Sequence, residues 1–385
     1  DPSTFLGRGK LQELAVARDE VGANLVVFDH ELSPAQVTHV EDVVGCRVLD
    51  RTQVILDIFA RRAKTREGKW QVELAQLKYL LPRLVGSSLA LSRLGGGIGT
   101  RGPGETKLET DRRRIRARIA SVADAIDEVR QRRARLRDRR KRTDAPTVAL
   151  VGYTNAGKTT LFNLLTREQA VASDALFVTL DPLVRRVALP DAREMLVSDT
   201  VGFIDRLPHA LVAAFRATLE EVKDADLLLH VIDAAAPDRD RRVDAVLAVL
   251  QEVGASEVPR IDVYNKVDLL DVAEREALAE RHPQSLILSA LLGDGRDAVI
   301  ARMLEHIGLD TQRVTLRVDA ESDEGRQLLT QIYRHGRVIE QSGSGRRVVV
   351  VAELPRRFLE THGQGVARAH RREGRARSGR RNEAS

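Results

Sequence analysis

The sequence predicts an α/β protein organised around a doubly wound parallel sheet. A small α/β unit and a long antiparallel helical hairpin precede the sheet, and a small α+β module follows it. Three observations carry this expectation. Apolar strand-like runs alternate with amphipathic helices from Thr147 to about Gly308, a glycine-rich stretch separates two helical repeats, and 385 residues exceed what one core holds, since domains usually number roughly 100–200 residues. The implied organisation is 1–71 as an N-terminal α/β subdomain, 72–142 as the hairpin and 143–146 as a linker. Residues 147–308 form the sheet domain, 309–356 the α+β module and 357–385 a basic tail, expected to be disordered.

In chain order, the pattern predicts a helix near Lys10–Val21, a strand Asn24–Phe28, a Ser33-capped helix to about Val44 and a strand Cys46–Asp50. From near Val72, Leu74, Leu77, Leu80, Leu81 and Leu84 recur at helical spacing. Next comes Gly95-Gly96-Gly97-Ile98-Gly99-Thr100-Arg101-Gly102-Pro103-Gly104, whose glycines and proline exclude helix or strand and predict a loop. Ile115, Ile119, Val122, Ile126 and Val129 then mark the seam of a long helix, so the two helices should pack as an antiparallel pair. Pro146 ends that helix's linker by disfavouring helix at the preceding residue. The sheet strands are expected at Thr147–Val151, Met195–Ser198, Leu227–Ile232, Ile261–Tyr264 and Leu286–Leu288. Residues 313–355 read as strand, helix (Glu324–His335), strand, strand.

Net charge is +6, from 62 Lys+Arg against 56 Asp+Glu, but it is unevenly placed. Residues 101–142 hold 16 basic against 7 acidic side chains, and residues 363–385 hold 7 against 2, leaving the rest acidic. Basic appendages on an acidic body suit a polyanionic partner, with nucleic acid the leading candidate; a solvated helix face and a disordered tail is the competing reading. No run approaches the ~18 apolar residues of a membrane span, so a soluble protein is expected. Cys46 is the single cysteine and no His/Cys spacing resembles a zinc site, which favours a reducing, cytosolic setting. Asp1-Pro2-Ser3-Thr4 lacks an initiating Met and a signal-peptide layout, so the chain is expected to start partway through a longer protein. The nine histidines form no ligand pattern, and Trp70 and Tyr79 are expected to pack rather than stack on bases.

The chemistry lies in four short motifs. Gly152-Tyr153-Thr154-Asn155-Ala156-Gly157-Lys158-Thr159 fits G-x-x-x-x-G-K-[ST] between a predicted strand and the helix that Thr160 begins. Its backbone N–H groups would cradle phosphates, Lys158 would neutralise the β/γ oxygens, and Thr159 would bind Mg²⁺. Asp199-Thr200-Val201-Gly202 follows a strand, placing Asp199 as a carboxylate toward Mg²⁺ and the Gly202 amide toward a γ-phosphate. Asn265-Lys266-Val267-Asp268 follows another; the Asp268 carboxylate can accept from N1–H and N2–H₂ of guanine, a donor pair adenine lacks. Ser289-Ala290, after the last strand, can offer a backbone N–H to guanine O6.

On these residues the chain resembles the P-loop GTPases and, from about Gly7 to Leu309, the HflX family. The carriers are Gly95–Gly104 with Glu105-Thr106, Phe177-Val178-Thr179-Leu180-Asp181-Pro182, and Asp199-Thr200-Val201-Gly202-Phe203-Ile204. The resemblance implies a P-loop GTPase sheet and a GTPase, converting GTP to GDP with Mg²⁺, that binds the large ribosomal subunit and helps dissociate or recycle stalled ribosomes under stress. It further implies a cytoplasmic, partly ribosome-associated protein, monomeric when free. The alternative is a nucleotide-regulated rRNA-binding or assembly module without splitting activity. Gly7-Arg8-Gly9-Lys10 is too short to be a second nucleotide loop.

Within this reading Lys158, Thr179 and Gly202 carry catalysis, Thr179 as the switch threonine. Thr159, Thr179 and, through water, Asp199 serve the metal. Phe203 stands where Ras-like enzymes place a water-orienting glutamine, so slow intrinsic hydrolysis is expected. Asn155 is a candidate for activation by K⁺. Arg185 and Arg206 are candidate arginine fingers, with an exposed surface role favoured for both. Ribosomal contact is expected through Gly95–Gly104 and the helix carrying Arg112, Arg113, Arg114, Arg116 and Arg118, with Arg101 beside it; an interdomain hinge is the competing reading.

Overall fold

A computed structural model describes residues 3–92, 103–141, 145–168, 177, 179, 183–189, 194–205, 221–308, 311–343, 346–356 and 358–360. The first unit begins with α1 (Arg8–Val21), β1 (Leu25–Val27), α2 (Pro34–Val44) and β2 (Arg47–Leu49). The two strands pair in parallel, Val26 opposite Val48, as the alternation of helix and strand required. At the start of α2, Ser33 Oγ accepts from the Gln36 N–H while the Gln36 side chain accepts from the Ser33 N–H, a reciprocal cap. Leu11, Phe28, Leu32, Val40, Val44 and Val48 close a small core.

An unforeseen helix follows, α3 (Arg51–Arg62), which Asp50 caps by accepting from the Gln53 N–H. Its buried face is Thr52, Ile55, Leu56 and Phe59, a helical spacing. The next helix, α4 (Arg66–Ser92), starts ahead of Val72 and runs across the boundary expected at 71/72. α5 (Pro103–Lys141) takes in Pro103 and Gly104, which had been expected in the loop; Pro is favoured at a first helical position. Residues 95–102 of the glycine stretch lie outside the described residues. α4 and α5 pack together, and Arg118 of α5 pairs with Glu73 of α4 at 2.6 Å.

The central sheet has the order β4-β5-β3-β6-β7-β8. β3 (Thr147–Val151), β5 (Glu194–Asp199), β6 (Leu227–Asp233), β7 (Arg260–Asn265) and β8 (Leu286–Ile287) run parallel. The expected sheet is thus present, with an unforeseen antiparallel edge: β4 (Leu183–Ala188) pairs with β5, Arg185 opposite Val197. The helices around it are α6 (Lys158–Thr166), α7 (Arg239–Glu252), α8 (Val272–Arg281) and α9 (Arg296–His306). One apolar layer joins Leu150, Leu161, Phe162, Val197, Leu229 and Met303. The other joins Val151, Phe203, Leu228 and Val249 to Ile55, Leu56 and Phe59 of α3, so the first unit and the sheet share a core. In the last module β9 (Thr311–Asp319), α10 (Asp323–His335), β10 (Arg337–Ser342) and β11 (Arg347–Pro355) form an antiparallel sheet, order β10-β11-β9, with one helix, in the predicted sequence of elements. Among the described residues no helix is long and apolar enough to cross a membrane.

Candidate nucleotide site

Parallel strands send their connecting loops to one end of a sheet, and the four predicted motifs all follow strand ends there. Residues 152–157 join β3 to α6 with left-handed backbone at Asn155 (φ 59°) and Gly157 (φ 92°). A Cβ at Gly157 would run into the Asn265 side chain, so only glycine fits that turn. Thr154 N–H donates to the Phe203 carbonyl at 2.8 Å and Phe203 N–H to the Gly152 carbonyl at 3.1 Å, stitching the loop to the segment after β5. Gly202 lies there, its Cα hydrogen facing Thr154 and Lys158: a Cβ would meet Thr154 Cγ2 at 2.8 Å and Lys158 Nζ at 3.1 Å.

Lys158 opens α6 and folds back over the loop, donating to the Gly152 carbonyl at 3.1 Å and the Tyr153 carbonyl at 2.9 Å. Burial pushes its ammonium down to about 8, against the opposing pull of the Asp199 charge. Asp199, the last residue of β5, is fully buried. Burial raises its pKa, while Lys158, the Thr179 and Thr159 hydroxyls and the Thr200 N–H all act to lower it. Asp199 Oδ2 accepts from Thr159 Oγ1 at 2.8 Å and from Thr179 Oγ1 at 2.7 Å, and the two hydroxyls are 2.9 Å apart. Asp199 Oδ1 is buried with no hydrogen-bond partner. Two hydroxyls and a carboxylate with an unengaged oxygen form a hard-oxygen donor set, which fits a small divalent cation such as magnesium. Among the described residues no group of three or more His, Cys, Asp or Glu gathers as a metal site.

The Asn265–Asp268 and Ser289-Ala290 motifs meet at the ends of β7 and β8. Asn265 Nδ2 donates to the Ala156 carbonyl and Asn265 Oδ1 accepts from the Ala290 N–H, both at 2.9 Å. Ser289 Oγ donates to Asp268 Oδ1 at 2.5 Å, holding a half-buried carboxylate. Lys266, at φ 64°, pairs with Asp233 at 2.8 Å; that partner at the end of β6 carried no sequence signal. Thr160 is half-buried in the first turn of α6, Tyr153 half-buried beside Phe203, and Asn155 exposed.

Phe203 is fully buried, so the position after Gly202 is a packing position as well as an apolar one. Arg185 sits on the edge strand and pairs with Glu168 at 2.9 Å. Arg206 lies outside the described residues, as do Val178 and 180–182 of the loop motif. Thr200, which carries no sequence signal of its own, donates its hydroxyl to the Leu150 carbonyl at 2.6 Å and ties the end of β5 to β3. Trp70 and Tyr79 pack under arginines, with Arg66 over Trp70 and Arg83 over Tyr79.

A phosphate-binding loop with its lysine folded inward, a buried strand-end carboxylate capped by two threonine hydroxyls, and an Asn-Lys-x-Asp strand end define a P-loop GTPase. Comparison with known proteins narrows this. Residues 147–266 match the family model described as 50S ribosome-binding GTPase, 1–60 that of the GTP-binding GTPase N-terminal region and 62–140 that of the GTP-binding GTPase Middle Region. GTPase HflX of Caldanaerobacter subterraneus subsp. tengcongensis is 47% identical over 91% of this chain and 80% of its own length. GTPase HflX of Escherichia coli (strain K12) is 49% identical over 84% and 76%. A crystal structure of a GTP-binding protein from the archaeon Sulfolobus solfataricus in complex with GDP is 25% identical, covering 79% of this chain and 86% of that one, with a TM-score of 0.42. The chain belongs to the HflX family of ribosome-associated GTPases, and it binds and hydrolyses GTP.

Proposed function

We propose that this GTPase uses its nucleotide state to control binding to the large ribosomal subunit and thereby promotes ribosome dissociation or recycling under stress, acting in the cytoplasm as a monomer when free. The observation that carries the proposal is the Thr159–Thr179–Asp199 constellation. A threonine from the loop between α6 and β4 meets a buried carboxylate and the phosphate-loop hydroxyl. Loss of a γ-phosphate would release such a contact and alter the surface that this loop shapes.

In this reading Gly152–Thr160 hold the phosphates, Lys158 leaves the loop carbonyls for the β/γ oxygens, and the Gly202 N–H faces the γ-phosphate. Thr159, Thr179 and Asp199 would hold Mg²⁺, the last through water; bound there, it neutralises charge that develops on the phosphates. Asp268 reads the guanine edge, with Asn265, Lys266, Ser289 and Ala290 shaping its pocket. Phe203 lacks a polar group, so the water must be oriented by other means: a K⁺ held near Asn155, or the ribosome. Exchanging Na⁺ for K⁺ should raise the hydrolysis rate, and Asn155→Ala should remove the rise.

The arginines of α5, Arg112, Arg113, Arg114, Arg116 and Arg118, and the Gly95–Gly104 stretch would contact rRNA by phosphate neutralisation. Arg118 already pairs with Glu73 and Arg114 with Asp111, and Arg112 is half-buried, which leaves Arg113 and Arg116 as the better phosphate partners. Sedimentation with large subunits tests this: binding with a nonhydrolysable GTP analogue and release with GDP is the expected result. Light scattering of assembled ribosomes then separates dissociation from the alternative, an assembly or rRNA-binding module that binds without splitting.

A further inference from the structure

Helix α3 lies between the helical hairpin and the two loops that report on the phosphates, and it touches both loops. The Phe59 ring meets the Phe177 ring edge-on, with centroids 4.5 Å apart and planes at 85°. Both rings are buried in the core that the first unit shares with the sheet. Phe177 holds φ at 54°, a left-handed backbone that disfavours any residue with a Cβ, so surrounding contacts must keep it there. Two residues later Thr179 Oγ1 reaches Asp199 at 2.7 Å. Earlier on α3, Arg51 donates to the Asp205 carbonyl at 2.8 Å, just beyond Gly202. Asp205 is also paired with Arg241 of α7.

The N-terminal end of α3, where Arg51 lies, is anchored to the hairpin. Asp50, its cap, accepts from Tyr79 Oη and Arg83 Nη2 of α4, each at 2.9 Å. A shift of α4 therefore either breaks these partly buried bonds or carries α3 with it. The route from α4 to Thr179 is a chain of direct contacts: Arg83 and Tyr79, Asp50, α3, Phe59, Phe177.

We propose that Phe59 and Arg51 are positioning residues for GTP hydrolysis. Phe59, acting through Phe177, holds Thr179 in register with Asp199; Arg51, acting through the Asp205 backbone, holds the Gly202 segment. The inference rests on Thr179 being the switch threonine. It follows that a load on the hairpin changes the rate of hydrolysis before it changes nucleotide affinity.

The test is steady-state hydrolysis and GDP binding by the full chain, for Phe59→Ala, Phe59→Leu, Arg51→Ala, Thr179→Ala and the double variant Phe59→Ala/Thr179→Ala. Displacing a positioned group by about 1 Å costs up to roughly 100-fold, so Phe59→Ala should lower kcat about tenfold, with KM and GDP affinity within about twofold. Phe59→Leu, which refills the volume, should recover most of that loss. Arg51→Ala, outside the core, should lower kcat about threefold with GDP affinity unchanged, and it reads the same bracket if Phe59→Ala does not fold. Phe59→Ala should add nothing to Thr179→Ala. An unchanged kcat in both Phe59→Ala and Arg51→Ala, an equal loss of GDP affinity, or full additivity with Thr179→Ala overturns the proposal. If Thr179→Ala itself keeps full kcat, the switch reading fails first and takes this inference with it.

Discussion

Lys158 and Asp199 are both buried, and the charge of each opposes the shift that burial imposes on the other. The lysine is the group whose titration falls within reach of experiment. Its folded value, about 8, lies below the 10.5 of an exposed lysine. Below both values the two states hold the same proton and the burial penalty on the ammonium is fully present. Between them the unfolded chain binds more protons, so the site's contribution to stability rises with pH. Relative to Lys158→Met, nucleotide-free protein should gain ~2 kcal/mol between pH 7 and about 9.5. Denaturant unfolding of both proteins at the two pH values measures the difference.

Asp268 accepts from the Ser289 hydroxyl through one oxygen, and in the proposed reading the other faces guanine. Asp268→Asn replaces an acceptor by a donor at the guanine edge while leaving the Ser289 contact possible. GTP affinity should fall by about two orders of magnitude, and xanthosine triphosphate, which presents an oxygen in place of the 2-amino group, should gain. Calorimetric titration with both nucleotides is the measurement.

Phe203 occupies the core, so restoring a Ras-like glutamine there should not restore a Ras-like water site. Phe203→Gln buries a carboxamide among apolar neighbours such as Val201 and Ile204 and should cost ~3 kcal/mol. Hydrolysis should not accelerate. Thermal unfolding together with single-turnover hydrolysis checks both halves.

Asp50 gathers the Leu32 and Gln53 N–H groups, the Tyr79 hydroxyl and the Arg83 guanidinium. Burial and the Asp50 charge push the Tyr79 hydroxyl above its ordinary range, which keeps it protonated as a donor. Asp50→Ala removes the acceptor of the two N–H groups and the Tyr79 hydroxyl and leaves Arg83 only its bonds to the Tyr79 and Leu32 carbonyls, and should destabilise the N-terminal unit by ~3 kcal/mol. Hydrogen exchange should show the loss in α2, α3 and α4 ahead of the sheet.

The placement of the four motifs at strand ends was legible because it is local: each follows an apolar strand, with glycine, lysine or aspartate at fixed offsets. The Ser33 cap was equally local and was found at the expected residue. What escaped depended on partners distant in sequence. α3 begins with Arg51-Thr52-Gln53 and carries Val54-Ile55-Leu56, a run as compatible with a strand as with a helix until its Asp50 cap and its contact with Phe177 are known. The edge strand β4 holds Arg185 and Arg186 between apolar residues and gains its identity only by pairing with β5. Pro103 and Gly104 look like loop residues in isolation, yet α5 begins with them.

Asn265 binds two other loops with one carboxamide, donating to Ala156 and accepting from Ala290. Three separate chain crossings are thereby latched together by one buried side chain. The conformational entropy of closing that half of the pocket is lost during folding rather than during capture. Guanosine nucleotides should accordingly meet a ready-made base slot, and their association should approach the pace of diffusional encounter, leaving residence time as the quantity that evolution and partners can adjust.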